Sequence, residues 1–356
     1  MKILIVSIQR IGDVLLSTPL IKSIKSAYPN AIIDVLICTD TCQVLEGNDD
    51  INSVIAVQRK SKNIARITEL YKLWNRYDLS ISTMPSDRAR IYAWAAAKMH
   101  YGTYTETDSF LFKWLMDKRV LFDNHALHTV EMNLKICDML GISKKTEVTI
   151  PKTNLNKFPI KLELPFVVIH PYPKFVYKSW SILEWRELIN FMTGKGLRVI
   201  ISGGSDEKEI EYCQELVISD RVENLAGKLS LAEVSEMISK AHLYIGVDTS
   251  VTHLAAATGV KVFAIYGPTN PVKWGPWPYT KETIHQPIWI SHSPTPQVNS
   301  NITLIQGGQN CIPCAEEGCE RHINSKSECL TMLKSETVIK EVSLFLRDSV
   351  VGDSFQ

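Results

Sequence analysis

Between Tyr244 and Ala257 the chain passes from an apolar run of strand character, Tyr244-Ile245-Gly246-Val247, through Asp248-Thr249-Ser250 into helical spacing. A strand that feeds a helix through small hydroxyl residues commits this stretch to a βα unit. It also leaves backbone N–H groups at the helix start, and these favour an anion such as a diphosphate. No GxxxxGKS/T loop accompanies the motif, which argues against a P-loop nucleoside triphosphatase.

The same alternation runs through most of the chain. Ile3 to Val6, Ile32 to Ile37 and Asp78 to Ser82 have strand character, and Val14, Leu15, Ile21 and Ile24 carry helical spacing between the first two. Such βαβ units imply parallel sheets with helices on both faces. From about Ile150 to Pro165 the pattern lapses into a polar, proline-bearing stretch, which is the expected linker. The rhythm then restarts with strands at Phe166 to Ile169, Leu197 to Ile201, around Tyr244, and at Val260 to Tyr266. Helices are expected at Ile182 to Met192, Glu207 to Val217 and Ser230 to Ser239. The simplest architecture is α/β, with two doubly wound, Rossmann-like domains facing each other across a cleft: residues 1–160, residues 161–335, and a C-terminal helix and tail over 336–356.

A chain of 356 residues, 45% of them hydrophobic, can bury two such cores. Its 39 basic and 38 acidic residues give a net charge of +1, too balanced for a protein that binds nucleic acid by neutralising phosphates. The apolar start, Met1 to Ser7, ends at Gln9-Arg10 without a small-residue cleavage site and is expected to be a buried strand, not a signal peptide. No stretch is long and apolar enough to span a bilayer. A cytoplasmic location and reduced cysteines are therefore expected.

In doubly wound sheets ligands bind beyond the carboxyl ends of the strands. The first such loop, Ser7 to Asp13, lacks GxGxxG spacing, which weakens a dinucleotide-dependent oxidoreductase reading. It offers Gly12 for a close turn and Asp13 at the mouth of a helix, where Asp13 is either a helix cap or a catalytic carboxylate. In the second half Lys178 precedes a helix and is either solvated or aimed at an anion. His253, one turn into the Asp248-Thr249-Ser250 helix, either donates to a phosphate oxygen or is a satisfied core histidine. Gly203-Gly204 followed by acids suits a ribose. Together these describe a nucleoside-diphosphate site.

Several motifs, in order, carry a resemblance. They are Gly12 to Pro19, Lys178-Ser179-Trp180, Asn224 to Leu231, Asp248 to His253 and Tyr266 to Pro271. This combination resembles glycosyltransferase family nine, the ADP-heptose:lipopolysaccharide heptosyltransferases of Gram-negative bacteria, over nearly the whole chain. The resemblance implies a GT-B fold and an N-terminal acceptor-binding domain before a C-terminal donor domain. It also implies inverting transfer of heptose from ADP-heptose to the inner core of lipopolysaccharide, with no cofactor required for catalysis.

Carried over by position, it implies Asp13 as general base on the acceptor hydroxyl and Lys178 on the donor phosphates. Asp248, Thr249, Ser250 and His253 fall in the donor motif, Leu229 against adenine, and Gly12 and Gly204 in the donor-binding loops. Glu207 is placed on the ribose, with Glu209 as the alternative. The implied acceptor is lipid A-Kdo or a heptosylated core, met by peripheral contact with the inner membrane. Arg59-Lys60-Ser61-Lys62, Ile91 to Trp94, Lys113-Trp114 and Lys118-Arg119 are candidates for that contact, and each suits equally a solvated face or a core helix.

One group lies outside this chemistry: Cys311-Ile312-Pro313-Cys314 with Cys319 and Cys329. A structural zinc or iron site, free thiols and disulfides all remain open. Because some relatives that modify autotransporter adhesins carry an iron-bound cysteine cluster, a protein acceptor is an alternative. A sugar-nucleotide binding protein without turnover is another.

Overall fold

The computed structural model describes residues 1–60, 63–123, 125–153, 165–279 and 287–352. It divides into two compact units, Met1–Thr153 and Asn154–Gln356. Most of the expected linker, residues 154–164, lies outside the described residues, as do Ser61, Lys62 and residues 353–356.

The first unit is built on six parallel strands, β1 (Lys2–Ser7), β2 (Ile32–Cys38), β3 (Ser53–Val57), β4 (Tyr77–Ser82), β5 (Ala97–Tyr104) and β6 (Lys118–Leu121), in the order β3-β2-β1-β4-β5-β6. Strand β1 lies between β2 and β4, which explains why Ile3 to Val6 read as an unbroken apolar run: both faces of the strand are covered, and all four residues are fully buried. The helix Thr129–Leu140 begins with reciprocal capping between His128 and Glu131 and ends at Gly141, whose φ of 67° suits glycine.

The second unit repeats this winding. Its strands are β7 (Phe166–His170), β8 (Arg198–Ile201), β9 (Val222–Asn224), β10 (Leu243–Val247), β11 (Val262–Tyr266), β12 (Gln297–Asn299) and β13 (Ile302–Gln306), in the order β12-β13-β11-β10-β7-β8-β9. Only the edge hairpin β12–β13 is antiparallel among the described pairs. The core beneath the sheet gathers Trp180, Trp185, Leu188 and Ile245 together with Val338 and Val342 of the helix Ser335–Gly352. That last helix is therefore part of the second core rather than a separate appendage. Its start is fixed by Glu184, which accepts from the Ser335 N–H at 2.7 Å and pairs with Lys334 at 2.8 Å.

In each sheet the winding reverses between the first and fourth strands of the unit: at β1/β4 and at β7/β10. The two neighbouring strands there send their connections in opposite directions, the arrangement that opens a crevice at the carboxyl end of such a sheet.

Candidate functional site

The switch point of the second unit holds the Asp248 motif. Strand β10 ends at Val247, Asp248 follows, and the helix Ser250–Thr258 begins with Thr249 in extended conformation at its N-cap. The Thr249 side chain makes no cap bond. The Thr249 carbonyl accepts from Thr252 and His253, so the N–H groups of Ser250 and Val251 precede the first intrahelical bond. Gly259, at φ 86°, closes the helix in the left-handed conformation that glycine adopts without strain.

Three loops converge on Asp248, each from a strand beside β10 or from β10 itself. Lys178, from the loop after β7, places Nζ 2.6 Å from Asp248 Oδ2. Thr269, from the loop after β11, donates its hydroxyl to the same oxygen at 2.5 Å. Burial alone would raise the Asp248 carboxyl pKa, but the Lys178 ammonium and these two hydrogen bonds outweigh it and hold the group below the ordinary aspartate range. His253 is buried close by. Burial, opposed by Asp248 and reinforced by Lys178, pushes its imidazole down to about 4, so the ring is neutral at pH 7. Its Nδ1 has no hydrogen-bond partner among the described residues.

The Lys178 loop is fastened from behind. Trp180 is buried, donates its indole N–H to the Leu333 carbonyl at 2.7 Å and meets Trp185 edge-on at 4.9 Å. The Tyr177 carbonyl accepts from Ser327 at 2.6 Å.

Next to β7, the loop after β8 carries Gly203 and Gly204. A Cβ on Gly203 would come 2.8 Å from Ala226 Cβ, so the β8 and β9 loops pack too closely there for a side chain. Gly227, at φ 74°, donates its N–H to the Gly203 carbonyl at 3.0 Å. The acid that turns into this loop is Glu209, whose Oε1 accepts from the Gly204 N–H at 2.7 Å. Burial raises the Glu209 pKa, the Gly204 bond lowers it and Asp206 raises it again, with a net upward result. Glu207, the residue the sequence favoured, is exposed in the first turn of its helix, where Asp206 is the cap. The helical repeat explains the difference: two residues along the helix turn the side chain by about 200°. Leu229 is half-buried just before Ser230, the capping residue of the helix Leu231–Ser239.

In the first unit Asp13 sits in the helix Ile11–Leu15, which follows β1 at the other switch point. One carboxylate oxygen accepts from the Arg10 N–H at 3.1 Å, so the capping role that spacing suggested is present. Gly12 lies half-buried in the first turn. Two arginines knit the neighbouring loops. Arg59 pairs with Asp40 at 3.0 Å and donates to the Gln9 carbonyl at 2.9 Å, and Arg88 donates to the Arg59 and Gln58 carbonyls at 2.8 and 2.7 Å. Sequence reading assigned neither of these tying roles. The Asp40 hydrogen bond, against burial, raises the Arg59 pKa, and the Asp13 charge adds to it.

All eight cysteines are free thiols. Cys311, Cys314 and Cys319 are exposed and Cys329 is buried. Burial, and then Cys314, Cys319 and Cys311, push the Cys329 thiol up to about 12, so the four share one neighbourhood. A tetrahedral zinc–thiolate site needs its sulfurs roughly 3.8 Å apart. Among the described residues the only three candidate ligand atoms within 4.8 Å of one another are those of Glu184, Glu187 and Glu336, so the sulfurs do not have metal-ligand spacing. The segment packs against the loop after β11. The Ala315 N–H donates to the Pro268 carbonyl at 2.8 Å, and a Cβ on Gly267 would strike Leu330 at 2.7 Å and Cys329 Sγ at 3.2 Å.

Lys178, Asp248 and His253 are thus drawn together, as the sequence suggested, with Gly204 on a neighbouring loop. Thr269 and the anchoring roles of Trp180 and Ser327 had no role assigned from sequence. Pairing of β10 with β11 is what delivers Thr269, and no local pattern encodes that adjacency.

Each of the two units is thus doubly wound and carries polar side chains at its switch point. The family model for glycosyltransferase family 9 (heptosyltransferase) matches residues 72–302, and the chain belongs to that family. It is 29% identical to the lipopolysaccharide heptosyltransferase 3 of Escherichia coli, over 75% of this chain and 83% of that one. Among solved structures it is similar to E. coli ADP-heptose lps heptosyltransferase II, with a TM-score of 0.72 and 19% identity over 98% of this chain and 99% of the other. It is also similar to the E. coli heptosyltransferase WaaC with ADP, with a TM-score of 0.71 and 20% identity over 96% and 99%. These likenesses place the fold as GT-B.

Proposed function

We propose that this chain transfers heptose from ADP-heptose to the inner core of lipopolysaccharide with inversion at the anomeric carbon. Family membership and the named relatives support the reading. The observation that carries it is the Lys178–Asp248–Thr269 group at the start of the Ser250 helix. A buried carboxylate holds the ammonium of Lys178 in place at a point where backbone N–H groups already favour a diphosphate.

In this reading Lys178 and the first N–H groups of the helix take the ADP phosphates and meet the charge that develops on them as the glycosidic bond breaks. Neutral His253 adds a donor without adding charge. Glu209 accepts from the ribose hydroxyls, replacing Glu207 in that role, and Leu229 lies against adenine. Asp13 removes the proton of the acceptor hydroxyl as that oxygen attacks the anomeric carbon, so one displacement inverts the centre. Neither a cofactor nor the cysteine group enters any step, and the cysteines act as a brace.

The acceptor is lipid A-Kdo or a heptosylated core, reached by peripheral contact at the cytoplasmic face of the inner membrane. No described helix is long and apolar enough to cross a membrane. Incubating the purified chain with ADP-heptose and each acceptor tests the reading. Mass spectrometry should show one added heptose on one of them, with ADP released in equal amount. Binding of ADP with no transfer to either acceptor would overturn it in favour of a non-catalytic nucleotide-sugar binder.

A further inference from the structure

The helix Asn63–Leu73 carries large apolar residues over about half its circumference, more than its core contact covers. Leu73 is buried in the core of the first unit and Leu70 packs against that core. Ile64 and Tyr71 are 80% and 82% exposed, and Ile67 and, just past the helix end, Trp74 are exposed with them. At the helical repeat Ile64, Ile67, Tyr71 and Trp74 fall within an arc of about 80°, with Leu70 at its border about 40° from Trp74 and Leu73 about 100° from Trp74 on the core side.

The stripe continues onto the helix Asp87–Ala96. Trp94 meets Trp74 edge-on at 5.7 Å and is itself exposed, as is Ile91, while Tyr92 and Ala93 are core. The expectation that Ile91 to Trp94 is either solvated face or core is thus met by both at once. Basic residues border the Asn63–Leu73 side of this surface, and on the other helix exposed Asp87, on the face of Ile91 and Trp94, is paired with buried Arg90. The only acid in the helix Asn63–Leu73, Glu69, is half-buried and accepts from the Tyr92 hydroxyl. Lys72, Arg76 beyond the helix end and Lys60 before its start are exposed.

Large apolar side chains set side by side in water mark a contact surface. Protein interfaces deplete lysine, whereas tryptophan, tyrosine and isoleucine bordered by lysine and arginine match the headgroup boundary of an anionic bilayer. We propose that this face seats the first unit on an anionic membrane. Ile64, Ile67, Tyr71, Trp74 and Trp94 enter the headgroup boundary, and Lys60, Lys72 and Arg76 pair with lipid phosphates. The inference rests on the membrane-borne acceptor proposed above and names the surface that meets that membrane.

Sedimentation of the full chain with vesicles of phosphatidylethanolamine and phosphatidylglycerol, beside vesicles of phosphatidylcholine alone, tests it. The chain should partition onto the anionic vesicles and release with added salt. Ile67→Ser combined with Tyr71→Ser should lower that partition by about tenfold or more. Both side chains are exposed, so the thermal midpoint and ADP affinity should hold, which separates lost docking from lost folding. Absence of binding to the anionic vesicles would overturn the proposal, as would equal binding by the double variant. So would light scattering that shows the substitutions dissociating a dimer, since the occupant would then be a second copy. Heptose transfer to a delipidated acceptor runs in parallel. Transfer without vesicle binding overturns this surface alone, and vesicle binding without transfer overturns the proposed activity alone.

Discussion

Lys178 and Asp248 meet at 2.6 Å because the strands that precede them, β7 and β10, are parallel neighbours at the switch point of the second sheet. Neighbouring parallel strands deliver their following loops to the same edge, so residues far apart in sequence come into contact. The aspartate is buried and the lysine is mostly so. Removing one partner of such a pair leaves the other charge uncompensated.

Lys178→Ala should therefore do two things. It should destabilise the fold by about 3 kcal/mol, the scale for orphaning a buried charge, and it should weaken ADP more than adenosine, because a charge-assisted phosphate contact is lost. Calorimetry with both ligands separates these effects. Equal loss for ADP and adenosine would remove Lys178 from the phosphate site.

Asp13→Asn should keep the cap, since an amide oxygen can still accept from the Arg10 N–H. Turnover should fall by about 100-fold or more, the usual scale for a lost general base. Rates at saturating donor and acceptor, with the thermal midpoint as control, test it. A variant within a few-fold of wild type would leave Asp13 as a cap only.

Glu209 and Glu207 give a paired comparison. Glu209→Ala should weaken ADP several-fold and leave affinity for 2′-deoxy-ADP less changed, whereas Glu207→Ala should alter neither, because Glu207 is exposed in the first turn. If Glu207→Ala proves the weaker binder, the ribose contact belongs there instead.

Stability of the second unit should fall on mild acidification. Burial pushes both His170 and His253 down to about 4 from an ordinary value of 6.5. Unfolded chains bind these two protons below about pH 6.5 while the folded unit refuses them until about pH 4. The stabilisation is thus complete above pH 6.5 and is lost as pH falls toward 4. Asp248, with a lowered carboxyl pKa, keeps its contribution through this window and loses it only below its unfolded value near 3.8. Urea unfolding from pH 7 to 4.5 should show a slope approaching two protons. A flat profile would mean that the two rings already bind protons in the fold.

Cys311→Ser with Cys314→Ser should leave the thermal midpoint and transfer by the folded enzyme close to wild type, since both side chains are exposed and the contacts to the Pro268 loop run through the Ala315 N–H and Cys329. Thermal melts and activity normalised to folded protein check this. A folded double variant without transfer would overturn it.

The sequence alone determined the α/β class, the doubly wound halves and the strand-to-helix passage at Asp248. Each of these is a local pattern: runs of apolar residues, helical spacing and capping residues within one or two turns. It also marked Asp13, Lys178 and His253 as candidates, because motif order is a property of the chain. Tertiary structure alone decided that Thr269 shares the Asp248 carboxylate, that Glu209 rather than Glu207 turns to Gly204, and that the cysteine segment bonds the Pro268 loop. Strand adjacency and the angle of a side chain about its helix set those outcomes, and both depend on packing between segments remote in sequence. The outward stripe of Ile64, Ile67, Tyr71 and Trp74 belongs to the same class: spacing shows a helix apolar over about half its circumference, and only the packed structure shows which part of that arc the core takes.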